Sequence, residues 1–245
     1  MLKNRAIIIV NFLKRFINRR WSGFYSVYFD GKVFDFIVTH PLDAIQSCHL
    51  CGKFYDAKEL TLIKNYFGNN RLRVADIGAN VGNHSVFFAH FMNCETIIPV
   101  EPNPVILKTL RCNLGLNWHP SFDLSLVGYG LSDQEKYVAM VQGIDSNIGS
   151  SSIDAEVLGS IPVLPAHQVL SQKKVNFVKI DAEGHEWRIL VGLIPILEKN
   201  RPAVYVETRD DTYEPVYSLL HKYGYVKAYT YSMYSDCMNT MFIPS

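Results

Sequence analysis

The chain has 245 residues, 48% of them hydrophobic and 19% charged, which gives enough apolar surface for one large core and excludes a disordered chain. A formal net charge of +1 excludes a protein built on an excess of Lys and Arg to bind nucleic acid. The five cysteines are an odd number, nothing else indicates secretion, and together these point to a reducing cytosol.

In chain order, the first feature is basic. Lys3, Arg5, Lys14, Arg15, Arg19 and Arg20 precede Trp21 with no acid among them, interleaved with Leu2, Ile7, Ile8, Ile9, Val10, Phe12, Leu13, Phe16 and Ile17. Such a segment forms an amphipathic helix that either packs on its own domain or lies on an anionic membrane surface, a peripheral contact through residues 1–20. It does not span a bilayer, because the unbroken apolar run from Ala6 to Val10 is far below the ~20 residues required. Residues 25–29 and 32–38 read as strands joined by Asp30-Gly31, a hairpin signal, and residues 58–67 as a helix closed by Gly68-Asn69-Asn70. Between them, Cys48-His49-Leu50-Cys51 has redox or zinc spacing, but no second ligand pair follows, so two ordinary thiols near a turn are expected.

From Leu72 the pattern alternates short apolar runs with helical stretches, the mark of a parallel sheet. The runs are 72–77, 96–100, 124–131, 175–180 and 203–206; the helices are 83–92, 104–117, 185–193 and 214–223. Residues 138–164 read as a polar, strand-like hairpin insertion, and 225–231 with 239–243 as a final antiparallel pair joined through Met233-Tyr234-Ser235-Asp236. The expected fold is α/β, a doubly wound Rossmann-like sheet, mostly parallel with an antiparallel C-terminal strand. An N-terminal extension over residues 1–54 precedes a catalytic domain over 55–245.

Four strand ends carry the chemistry. In Val74-Ala75-Asp76-Ile77-Gly78-Ala79-Asn80-Val81-Gly82 a buried strand ends in an acid and turns through glycines into a helix, as a nucleotide-type ligand demands where the sheet order reverses. The spacing departs from G-x-G-x-x-G, and an acid before the first glycine suits an ammonium group better than a pyrophosphate, so Asp76 is expected to hold the amino-acid end of the ligand, directly or through water. The next strand ends in Glu101, where a carboxylate can accept both ribose hydroxyls, with Pro102 and Asn103 shaping the adenosine side. The third, Val178-Lys179-Ile180-Asp181-Ala182-Glu183-Gly184-His185-Glu186, places Asp181 toward the reacting group, with Asp181, Glu183 and His185 as candidate bases. Glu207 ends the strand expected beside it; if Asp181 and Glu207 converge they share a proton or a cation such as Mg2+, or Glu207 binds a substrate hydroxyl or backbone amide.

Taken together these motifs resemble the FkbM-type methyltransferase family, from about Asp56 to the C-terminus. The resemblance implies S-adenosylmethionine as cofactor, held by Asp76, Gly78, Ala79, Asn80, Gly82, Glu101, Pro102, Asn103, Ser132 and Asp181, and methyl transfer to a hydroxyl. It further implies a sugar acceptor in a surface polysaccharide or glycolipid, carried on a membrane lipid, and a cytoplasmic enzyme at the inner face of that membrane. The chain departs from the family where a threonine-leucine-aspartate pattern is replaced by Leu164-Pro165-Ala166-His167-Gln168. The competing readings are a nicotinamide-dependent oxidoreductase on a similar sheet and a cofactor-binding module without turnover.

Overall fold

The structure, a computed structural model, describes residues 21–141, 151–234 and 237–245. The basic segment before Trp21 and the Ser235-Asp236 link lie outside the described residues, as does the middle of the expected insertion, residues 142–150.

Strands β1 (Gly23–Phe29) and β2 (Lys32–Val38) form the expected antiparallel hairpin, in register Val27↔Phe34. Its inner face buries Val27, Phe34 and Phe36 in the same core cluster as Phe54, Val74 and Phe88. The hairpin leads into α1 (Ala44–Leu50), a helix absent from the sequence reading; Asp43 caps it by accepting hydrogen bonds from the Ile45 and Gln46 amides at 3.1 Å. Cys48 and Cys51 fall in its last turn and C-cap as free thiols.

After α2 (Ala57–Phe67) comes the main sheet: β3 (Leu72–Ile77), β4 (Cys94–Val100), β9 (Phe177–Ile180), β10 (Ala203–Arg209), β11 (Tyr225–Tyr234) and β12 (Cys237–Pro244), in the order β11-β12-β10-β9-β3-β4. Strands β10, β9, β3 and β4 are parallel, and β12 is antiparallel to both neighbours. Helices α3 (Asn83–Phe91) and α4 (Pro104–Leu116) follow β3 and β4, and α6 (Glu186–Lys199) and α7 (Asp210–Lys222) follow β9 and β10. Side chains alternate along each strand. Val74, Ile97, Phe177 and Tyr205 therefore join the core beneath α2, α3 and the hairpin, while Ala75, Ile98, Val178 and Val204 join the one beneath α6 and α7. The order reverses beside β3, so the turns after β3 and β9 open on one crevice.

The expected hairpin insertion is the antiparallel pair β6 (Lys136–Val141) and β7 (Ser152–Leu158), part of a second sheet, β5-β8-β6-β7, completed by β5 (Gly130–Ser132) and β8 (Ile161–Pro165), with α5 (Ala166–Leu170) following it. The strand expected over 124–131 is not formed. Asp123 accepts from the Ser125 amide and turns Leu124–Leu126 into a 3-10 helix, leaving only the isolated bridge Glu101↔Val127 beside β4 before the chain departs into β5. Helix α6 packs on β5 at Gly192, where a Cβ would overlap the Ser132 carbonyl oxygen. Among the described residues no helix is long and apolar enough to cross a membrane.

The free edge of β2 is closed by amide side chains from α4. Asn113 accepts from the Ile37 amide at 2.7 Å and donates to the Val81 carbonyl at 2.8 Å, and Asn117 exchanges both bonds with the Asp35 backbone. Asn113 is fully buried and ties the hairpin to the turn after β3. Asn113→Ala would leave those backbone groups without partners, and denaturant unfolding should show a loss of about 2–4 kcal/mol across the two bonds; an unchanged midpoint would refute this role.

Candidate active site

The crevice at the carboxyl ends of β3, β9 and β10 is a cleft open to solvent. Gly78 lies at the point of closest approach: with φ 79° it turns the chain so tightly onto the β9–α6 connection that a Cβ would overlap the Asp181 carbonyl oxygen. The Gly78 and Ala79 amides both donate to the Val100 carbonyl, which fixes the turn against β4. Glu101 then faces the cleft with its carboxylate oriented from both sides, one oxygen accepting from the Asn80 amide at 2.9 Å and the other from the Asn103 amide at 2.8 Å. Burial pushes its pKa up to about 7 against these bonds. Asn103 also caps α4 by accepting from the Val105 amide. Pro102, Ile106, Leu131, Met140 and Ile153 complete an apolar wall on this side, much of it supplied by the second sheet.

Strand periodicity explains the polar floor. Asp76, Lys179 and Tyr205 are register partners on β3, β9 and β10, so their side chains share one face; Asp181 and Glu207 stand two residues further along on that face, with Asn239 of β12 opposite Glu207. Lys179 is buried and its ammonium lies 3.6 Å from Asp76, 3.2 Å from Asp181 and 3.1 Å from the Gly78 carbonyl oxygen. Burial alone would lower its pKa, but Asp181 and Asp76 outweigh that and raise it.

Of the residues expected at the cofactor, Gly78, Asn80, Glu101, Pro102, Asn103 and Asp181 line the cleft. Asp76 does not. It is fully buried beneath the cleft, accepts from the Ser85 hydroxyl at 2.5 Å and faces the ammonium of Lys179. Ala79 and Gly82 are packed into the loop beneath, Gly82 against Leu110 and Leu114, and Ser132 is buried with its hydroxyl on Asp133 and His185.

The expected bases separate into two places. Asp181, Glu183 and Glu207 bring one carboxylate oxygen each within 4.8 Å of the others, a grouping that could hold a metal ion. Two cations already pair with this group, Lys179 with Asp181 and Arg209 with Glu183 at 2.8 Å. Asp181 is held below its usual range: burial opposes this, but Lys179 and a hydrogen bond from Glu207 prevail. Glu207 is pushed up to about 9 by Asp181 and by burial, so the pair carries one proton at neutral pH. Glu183 is pushed up to about 7 by burial and Asp181, against Arg209. His185 stands apart, at the N-cap of α6, with its Nε2 3.1 Å from the Ser132 hydroxyl and its pKa lowered by burial to about 4.

The sequence reading missed Lys179, Asp56, Glu59, His84 and Asn239, all of which line the cleft. Lys179 carried a signal, a cation inside an otherwise apolar strand two residues before an acid. Asp56 and Glu59 open α2, before the first motif, and burial raises them to about 8 and about 7.

These shifts fix the sign of the pH dependence. Glu59, Glu101 and Glu183 near 7, Asp56 near 8 and Glu207 near 9 keep protons in the folded protein that an unfolded chain, with carboxylates at about 4, has already lost. Stability of the ligand-free protein should therefore fall as pH rises from neutrality to about 9. Below about pH 6.5 the neutral buried His49, His84 and His185, each lowered to about 4, act in the opposite sense. Thermal unfolding followed by fluorimetry checks this, and a Tm that rises between pH 7 and 9 would contradict it.

Comparison with known proteins bears on the same residues. No curated protein matches the chain. Among solved structures, precorrin-6y C5,15-methyltransferase from Geobacter metallireducens GS-15 is 16% identical with a TM-score of 0.50, covering 79% of this chain and 92% of that one. TYW2 of M. jannaschii, in complex with AdoMet, is 12% identical with a TM-score of 0.50, covering 91% of this chain and 88% of that one. Methyltransferase FkbM from Methylobacillus flagellatus KT is 17% identical with a TM-score of 0.48 over 80% of this chain and 52% of that one. The likeness to the first two is one of fold, the Rossmann-like methyltransferase sheet. The family model for the methyltransferase FkbM domain matches residues 76–227, more than half of the chain and the span from Asp76 through Glu207, and the chain belongs to that family of S-adenosylmethionine-dependent methyltransferases.

Proposed function

We propose that the chain methylates a hydroxyl group, and that the acceptor is a sugar of a surface polysaccharide or glycolipid carried on a membrane lipid. The observation that carries the hydroxyl assignment is Asp181: an ionised carboxylate on the cleft, against the Gly78 turn, backed by the Lys179 ammonium. The fit of the cofactor rests on Glu101, whose two oxygens are already oriented by backbone amides and retain lone pairs for a pair of ribose hydroxyls. It rests also on the lining, since Asp56, Glu59, Glu101, Asp181, Glu183 and Glu207 are acids whose ionised forms a bound cation would stabilise, in a cleft where Lys179 is the one lining cation among the described residues.

When bound, S-adenosylmethionine supplies a methyl group already activated by its sulfonium. The chain's own residues have two tasks, alignment and deprotonation. Asp181 accepts the hydroxyl proton, and Lys179 holds it ionised for that purpose. Glu183 is the other carboxylate within reach of the same place, whereas the bond between His185 and Ser132 keeps that ring on the adenosine side. Mg2+ between Asp181 and Glu207 has the weaker support, because Lys179 and Arg209 already balance this group. The nicotinamide alternative is disfavoured by the missing G-x-G-x-x-G.

In calorimetry the protein should bind S-adenosylhomocysteine and give no heat with NAD. Glu101→Gln should weaken that binding at least about tenfold, since hydrogen bonds to a charged acceptor are worth about 1.5–3 kcal/mol; heat with NAD alone would end this reading. With labelled donor and a panel of free and lipid-linked glycans, mass spectrometry should find the label on a sugar oxygen, with Asp181→Asn lowering kcat about 10²–10⁴-fold. Label on nitrogen, or undiminished turnover by Asp181→Asn, would overturn the acceptor or the base.

A further inference from the structure

A second group of donors faces the cleft and carries no proton transfer in the reaction proposed above. Asp56 is the N-cap of α2, Glu59 lies in the first turn of that helix, and His84 lies in the first turn of α3. One ligand atom from each falls within 4.8 Å of the other two. Their local roles do not account for them. Asp56 makes no capping hydrogen bond although it occupies the cap, and one of its carboxylate oxygens is buried with no partner. His84 is 7% exposed, lines the cleft, and has no hydrogen-bond partner among the described residues; its ring stands edge-on to Phe88, in the field of Lys179, Asp76 and Asp181. Glu59 is 2% exposed and receives a 3.3 Å bond from Asn239. The nearby ammonium of Lys179 spends its ion pairs on Asp76 and Asp181.

Two carboxylates and an imidazole withdrawn from water, one oxygen orphaned, are costly unless a cation draws them together. We propose that Asp56, Glu59 and His84 form a binding site for a divalent transition-metal cation, Mn2+ or Zn2+. The donor set decides the class. Mg2+ prefers oxygen ligands and retains its waters, whereas an imidazole beside two carboxylates matches the mixed nitrogen and oxygen coordination of Mn2+, Fe2+ and Zn2+. Three protein donors leave coordination positions open, and the cleft is the side from which an oxygen ligand can fill them.

The site is tested on the full chain, stripped of metal and titrated with Mn2+ while the free ion is followed by electron paramagnetic resonance. One Mn2+ per chain should bind, displaced by Zn2+. His84→Gln and Asp56→Asn should each weaken it about tenfold or more, while Asp181→Asn leaves it in place. Asp56 is only partly buried at a helix start, so its variant carries the test if His84→Gln does not fold by circular dichroism. No Mn2+ or Zn2+ bound at millimolar concentration would overturn the site. So would binding lost in Asp181→Asn but kept in Asp56→Asn, or Asp56→Asn weakening S-adenosylhomocysteine while no ion binds, which would give these groups to the cofactor's ammonium. The methyltransferase reading is unaffected by any of these results, since it is judged with the cofactor alone.

Discussion

The ammonium of Lys179 is the charge around which the cleft is organised. A buried cation costs several kcal/mol in desolvation unless its partners are close and well placed, and here the register of β3 and β9 sets Asp76 on one side while the next inward position of β9 sets Asp181 on the other. Asp76 is held in turn by Ser85 of α3, so strand, strand and helix meet at one ion pair. Removing the cation would leave two carboxylates facing each other in a closed space, with Glu207 a third beside them. The arrangement keeps one member of the acid cluster ionised while its neighbour keeps a proton.

Much of this was legible in the sequence because strand periodicity and strand-ending acids are local signals. Residues 72–77, 96–100 and 203–206 read as strands and are strands, and the acids at their ends stand along the cleft, apart from Asp76. Asp76 shares a face with Asp181 but stands two residues short of it along the sheet, which puts it beneath the cleft beside Lys179. Lys179 was in plain sight, yet its partners come from β3 and β9 together, a pairing that only the assembled sheet supplies. The strand expected at 124–131 failed for a different reason, since the apolar run was correct but the cap at Asp123 won the local competition for the backbone. Asp56 and Glu59 carry no motif; they reach the cleft because α2 is packed over β3 by Leu60 and Ile63, long-range contacts that no spacing in the chain announces.

The segment before the first motif is therefore more than a lead-in. The hairpin contributes Phe34 and Phe36 to the core beneath α3, and α4 closes its edge with two asparagine side chains that act as the next strand would. Through α1, which begins where the hairpin ends, Ala44 and Ile45 reach the cleft wall. One face of the cleft thus depends on residues that stand outside the 76–227 span of the family domain.

The contact between Gly192 and Ser132 has a mechanical meaning. With no side chain between helix and strand, α6 and β5 have nothing compressible to separate them, so a push on one is delivered to the other undiminished. His185, at the head of that helix, grips the same serine. A molecule wedged between the polar floor and the apolar wall would accordingly rest on a wall that a helix backs directly.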